Sequence, residues 1–126
     1  MKSEIIYVEL KTGYSDNGPA WIGKGFYSKS GQSIYFNNKV FKRGSGISGN
    51  YYDIETMNEY WISGVKKDGR DRHWSGNGKI MFDKSILPEY LQIINANELP
   101  KNKFELTDLN IIPNKSLANE IENRKM

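Results

Sequence analysis

The chain's single histidine, His73, sits in the run DGRDRHW, with Arg70, Asp71 and Arg72 just before it and Glu55 upstream. A histidine, a carboxylate and a guanidinium suffice for metal-independent cleavage of a phosphodiester. One group takes a proton, one gives it back, and the cation meets the phosphate charge. His73 with Glu55 or Asp71, plus Arg70 or Arg72, is therefore the best enzymatic constellation, that of a small ribonuclease. Its spacing is no motif, and a satisfied, half-buried histidine accounts for the same residues, so a non-enzymatic chain is the expectation and no catalytic residue is assigned. Asp53 and Glu55 are two apart and would share a strand face, where such a pair can hold a cation or do acid/base work. Solvated strand-edge charges are the plainer account of them.

Other chemistries fall away by composition. One histidine and no cysteine leave no usual zinc site, disulfide or thiol nucleophile. No nucleophile elbow accompanies His73, and no dinucleotide or phosphate-loop fingerprint occurs. The Gly-rich stretch 44–50 (GSGISGN) lacks the Lys-Ser/Thr that a phosphate loop needs, and reads as a surface loop. No cofactor and no metal are expected.

A second constellation is aromatic and basic. Asp68-Gly69 separates two segments of strand composition and suits a two-residue type I′ turn. Counting outward, Lys67 would face Arg70, Lys66 Asp71, Val65 Arg72, Gly64 His73 and Ser63 Trp74. One face would then carry Trp61, Ser63, Val65, Lys67, Arg70, Arg72 and Trp74, and the other Tyr60, Ile62, Gly64, Lys66, Asp71 and His73. Bases could stack on the indoles of the first face while its cations met phosphates. Alternatively Trp61, Val65 and Trp74 are core, their edges covered by the basic stems. The burial preference of tryptophan in a small domain favours that. The candidate binding residues are Trp61, Lys66, Lys67, Arg70, Arg72, His73, Trp74 and Tyr51.

The elements that must position these residues follow from periodicity and punctuation. Residues 4–10 (EIIYVEL) read as a strand, and 20–27 (AWIGKGFY) as a second, bent or closely approached at Gly23 and Gly25. SIYFNNKVFKR gives a hairpin around Asn37-Asn38, flanked by Tyr35 and Phe41. A short strand over 51–54 turns through 55–58 into the central hairpin, and 79–83 is a further strand. At Asp83 the period changes. Ile86, Leu87, Tyr90, Leu91 and Ile94 recur at helical spacing, with Asp83 or Ser85 as cap, Pro88 in the first turn and Glu89 matched to the dipole. Beyond Asn97 an extended piece over 103–112 and a short terminal helix from about Ser116 are expected. The predicted architecture is mainly β: a strongly bent antiparallel sheet or small SH3-like barrel of six or seven strands with a C-terminal helix. In domain terms, residues 1–97 form a β-rich domain closed by helix 85–95, and 98–126 form a C-terminal extension.

The 126 residues carry a net charge of +3. The basic excess lies in residues 1–83, with twelve Lys/Arg against nine Asp/Glu, whereas 84–126 balance at six and six. That is short of a nucleic-acid-binding footprint on charge alone. MKSEIIYVEL is too short and too charged for a signal peptide, and no run could span a membrane, so a cytoplasmic location is expected.

The blocks KTGYSDNGPAWIGK, SIYFNNK and GNYYDIETMNEYWISGVKKDGRDRHWSGNGKI together resemble a small, widespread, uncharacterised bacterial protein family. The similarity covers about residues 5–92, and relatives are shorter chains that stop near the first helix, which marks the part after Asn97 as an extension. The resemblance brings no established activity. A label borrowed from a large thiamine-dependent synthase does not carry over, because this chain lacks the length and any diphosphate-binding motif. Tyrosine and tryptophan abundance without a catalytic motif points to a non-enzymatic binding module with a protein partner, of regulatory or immunity type. RNA or single-stranded DNA is the alternative partner, and the ribonuclease the third reading.

Overall fold

The computed structural model describes residues 2–11, 19–44, 49–69, 79–100 and 102–109. Eight strands form one sheet: β1 (Lys2–Leu10), β2 (Ala20–Tyr27), β3 (Ser33–Phe36), β4 (Lys39–Arg43), β5 (Tyr51–Asp53), β6 (Glu59–Gly64), β7 (Ile80–Asp83) and β8 (Phe104–Thr107). Their order is β1-β6-β5-β4-β3-β2-β7-β8, and β1 also pairs with β2. That pairing closes β1 to β6 into a six-stranded antiparallel barrel, the small SH3-like barrel expected from the sequence.

Closure depends on β2. Over its whole length it pairs with β1, from Lys2–Tyr27 to Glu9–Ala20. Its other edge is shared, with β3 at Phe26 and Tyr27 and β7 at Ala20 to Ile22. Gly25 lets the wall draw in, since a Cβ there would collide with the Ile6 side chain. β7 runs parallel to β2 and β8 parallel to β7, pairings that no local pattern announced. β8 brings part of the stretch after Asn97 into the sheet, and Phe104 into a core.

β1 is apolar along its middle because both of its faces are buried. Ile6 and Val8 point into the barrel with Ile34, Phe36, Phe41, Tyr51, Tyr60 and Ile62. Ile5 and Tyr7 point outward into a second core with Ala20, Ile22, Ile80, Phe82, Ile86, Tyr90 and Phe104. Phe82 meets Tyr90 and Phe104 edge-on, with ring centroids 4.9 and 5.9 Å away. On the same outward face Glu9 is buried, accepting a hydrogen bond from the Tyr7 hydroxyl and pairing with Lys11 Nζ at 2.9 Å.

The helix begins as the change of period predicts. Asp83 caps it by accepting from Ser85 N at 3.0 Å, a 3₁₀ turn spans Lys84–Ile86, and α1 runs Leu87–Ile94 with Pro88 in its first turn. Asn95 ends it in the left-handed conformation. Of the expected apolar face, Ile86 and Tyr90 are buried, and Leu87 and Ile94 pack against the same outer core. Asn37 and Asn38 both take positive φ, giving the type I′ geometry expected of the β3–β4 turn. The terminal helix expected from Ser116 lies outside the described residues.

The central hairpin differs from expectation. β6 ends at Gly64, and Val65 and Lys66 belong to no strand. The turn that follows is Lys66–Gly69, closed by Gly69 N donating to Lys66 O at 3.2 Å, with Gly69 itself at φ +75. The centre of the turn is thus Lys67-Asp68, with glycine in the last place, and not Asp68-Gly69. Along β6, β1 pairs with Tyr60 to Gly64, and β5 pairs with Glu59 and Tyr60. Beyond β5 the Asn50 side chain stands in for a strand, accepting from Ile62 N at 2.8 Å and donating to Ile62 O at 2.7 Å.

Candidate functional site

The alternation in β6 decides where its indole goes. Tyr60 and Ile62 are buried inside the barrel, so Trp61 and Ser63 point outward. Trp61 is 43% exposed, which corrects the expectation that it is core. The core positions are instead its neighbours, with Val65 packed at the edge of the outer core. Trp61 lies opposite Glu9 on β1 and two residues beyond Glu59, which pairs with Tyr52 on β5. Past Tyr52, a small outer cluster of Val40 and Ile54 is flanked by Tyr35 and Tyr52. Trp61, Tyr52 and Tyr35 therefore mark an aromatic band across the outside of β3 to β6.

The other candidate residues do not gather around the indole. Tyr51 is buried in the barrel, with the Arg43 guanidinium 5.7 Å from its ring centroid, so it presents no stacking face. Lys66 and Lys67 are exposed in the turn after β6. Arg70, Arg72, His73 and Trp74 lie outside the described residues, as does Asp71. Among the described residues, the charges placed beside Trp61 on its own wall are Glu9, Glu59 and Lys11, with Lys42 beyond them next to Tyr52, and Lys11 Nζ pairs with Glu9.

Asp53 and Glu55 do not share a strand face. β5 ends at Asp53, and Glu55 is exposed in the following turn. Asp53 is 2% exposed; its Oδ1 accepts from Glu55 N at 2.8 Å, and its main chain closes the turn to Met57 and Asn58. The pair is an Asx turn with a buried first carboxylate, which separates the two acids. Among the described residues, no three His, Asp or Glu side chains come together as metal ligands.

A second site lies at the barrel mouth, where β1 and β3 end and β2, β4 and β6 begin. Val8, Trp21, Phe36, Asn37, Lys39, Phe41 and Tyr60 line a recess with apolar walls. Its space is about 210 Å³ counted out to solvent, of which about 10 Å³ can take the centre of a water-sized group, room for one such group. Tyr60 meets Phe41 edge-on at 4.8 Å and Trp21 at 6.4 Å. Asp53, paired in register with Phe41, faces inward beside them. Its Oδ2 is shut off from solvent and makes no hydrogen bond among the described residues. Lys39 Nζ stands 3.5 Å from it on a side chain 41% exposed. Burial, then the Asp53 charge, pushes the Tyr60 hydroxyl above its usual range, so it stays protonated as a donor.

At the opposite end of the barrel, Tyr27 donates to Glu4 Oε1 at 2.6 Å. Burial and this carboxylate push the Tyr27 hydroxyl far upward. No family model, curated protein or solved structure matches the chain. Sequence reasoning weighed Asp53 only with Glu55. The signal for the mouth is Tyr51-Tyr52-Asp53, whose alternation sends Asp53 to the same side as Tyr51.

Proposed function

We propose that the chain is a non-enzymatic module that binds another protein through the aromatic band on the outside of β3 to β6, with Trp61 as its anchor. The observation that carries this reading is an indole 43% exposed on a rigid strand. Large aromatic side chains on fixed backbone lose little conformational entropy on contact, and they dominate interface energetics. The charges beside Trp61 favour protein over nucleic acid. Among the described residues, two carboxylates, Glu9 and Glu59, stand with two ammoniums, Lys11, which is engaged by Glu9, and Lys42, beside Tyr52. A phosphate backbone laid there would meet no net positive charge. The reading includes a regulatory or immunity-type partner and a cytoplasmic setting. No helix of the described residues is long and apolar enough to cross a membrane.

The test is affinity capture from the source cell with the wild-type chain, Trp61→Ala, and a Lys66→Ala/Lys67→Ala double variant. A partner retained by wild type and by the lysine variant, but lost with Trp61→Ala, is the expected result. Tryptophan quenching by single-stranded RNA that weakens with salt, and disappears in the lysine variant, replaces it with the nucleic-acid reading.

A further inference from the structure

The barrel mouth combines three features that the outer band does not use. Its walls are aromatic and apolar: Trp21, Phe36, Phe41 and Tyr60. A carboxylate, Asp53, is buried beside these rings, with one oxygen closed to solvent and without a hydrogen bond among the described residues. An ammonium from the chain itself, Lys39 Nζ, stands 3.5 Å from that oxygen, beyond good hydrogen-bond length, on a half-exposed side chain.

Ring faces carry negative potential, and a buried carboxylate oxygen left without a close hydrogen bond, as Asp53 Oδ2 is, is costly. Together they attract a cation on an apolar stem. Lys39, one of the residues that line the recess, shows which chemistry fits: an alkylammonium whose head stands 3.5 Å from Asp53 Oδ2. Its hold is loose, and its side chain can leave toward solvent. The size of the recess selects the form of the ligand. About 10 Å³ admits the tip of a side chain and not the body of a free small molecule, which needs a pocket of several hundred Å³.

We infer that the barrel mouth is a receptor for a lysine side chain of a partner protein, which takes the place of Lys39 against Asp53 and the Trp21, Phe36, Phe41 and Tyr60 rings. The chain's own lysine acts as an internal competitor and holds the empty site closed. This rests on the reading of the chain as a protein-binding module but uses a different surface, so the two stand or fall in separate experiments.

The test follows the ring signals of Trp21, Phe36, Phe41 and Tyr60 by aromatic NMR while the full chain is titrated with Nα-acetyl-lysine methylamide. Nα-acetyl-norleucine methylamide serves as the neutral control of matching stem. Saturable shifts at Trp21 and Tyr60 with the lysine probe, absent with norleucine, are expected. Lys39→Met tightens the lysine probe by about tenfold, because the occupied state no longer competes. Asp53→Asn abolishes the preference for lysine over norleucine. Trp61→Ala leaves the titration unchanged, although it breaks the outer band. Equal response to the two probes, no response in the wild-type chain, or loss of the response with Trp61→Ala overturns the inference. The wild-type comparison of lysine with norleucine decides the matter even where Asp53→Asn or Lys39→Met does not fold.

Discussion

Among the described residues, the outer wall of the barrel has a covered half and a bare half. Behind β1 and β2, outward side chains such as Ile5, Tyr7 and Ile22 are buried beneath β7, β8 and α1. Across β3 to β6 only a small cluster of Val40 and Ile54 is buried outside the wall, and Trp61 is 43% exposed. Both halves obey the same two-residue alternation. They differ in whether a second layer arrives, and that is set by the chain after Lys79 rather than by the strands themselves. A layered wall devotes its outward residues to stability, whereas a bare wall leaves them available for recognition.

The sharpest way to break this contrast is to empty the covered side. Phe82 is fully buried between Tyr90 and Phe104. Phe82→Ala is expected to cost about 3–5 kcal/mol, read as a fall in the urea midpoint. On the bare side, apart from the Val40 and Ile54 cluster, stability resides in the backbone. A Cβ on Gly49 would come within 2.5 Å of Tyr60 O and 2.9 Å of Tyr60 N, and main-chain atoms cannot step aside. Gly49→Ala should therefore cost about 1–3 kcal/mol by the same measurement.

A smaller effect separates the barrel's lower rim from both halves. The Tyr27 hydroxyl, buried and bonded to Glu4, titrates well above its ordinary value of 10.0. A raised folded-state value means that its stabilisation is complete below pH 10 and is lost as pH rises beyond it. Tyr27→Phe should flatten the alkaline fall in melting temperature above pH 10 while leaving the neutral range nearly parallel to wild type. The smallest effect belongs to Trp61→Ala, expected within about 0.5 kcal/mol of wild-type stability. Combined with loss of partner capture, that near-silence would mark the indole as kept for contact. A large destabilisation would move it to the covered class.

The barrel's own strands are legible from local signals. AWIGKGFY is β2 residue for residue, and Asn37-Asn38 supplies the positive φ its turn requires. Asp83, Pro88 and the 3.6-residue spacing locate the helix, because capping and periodicity act within a single turn. The parallel pairings of β7 and β8 were not legible, since they depend on contacts with no local correlate. The general burial preference of tryptophan points Trp61, also a candidate binding residue, into the core, but the alternation of Tyr60 and Ile62 is the stronger signal and turns it outward. The Asp-Gly pair marked a turn correctly. Its centre shifted by one residue because glycine also suits the last place of an ordinary turn.

β1 has a consequence for how the molecule comes apart. Its even residues fill the barrel and its odd residues fill the outer core, so neither core can open without removing a wall from the other. Amide hydrogens on β4 and β7, which share no hydrogen bond, should then exchange through one global opening with the same free energy. Heat should melt the protein in a single transition, with calorimetric and van't Hoff enthalpies equal. The barrel and its outer layer are one cooperative unit because a single strand is the partition between them.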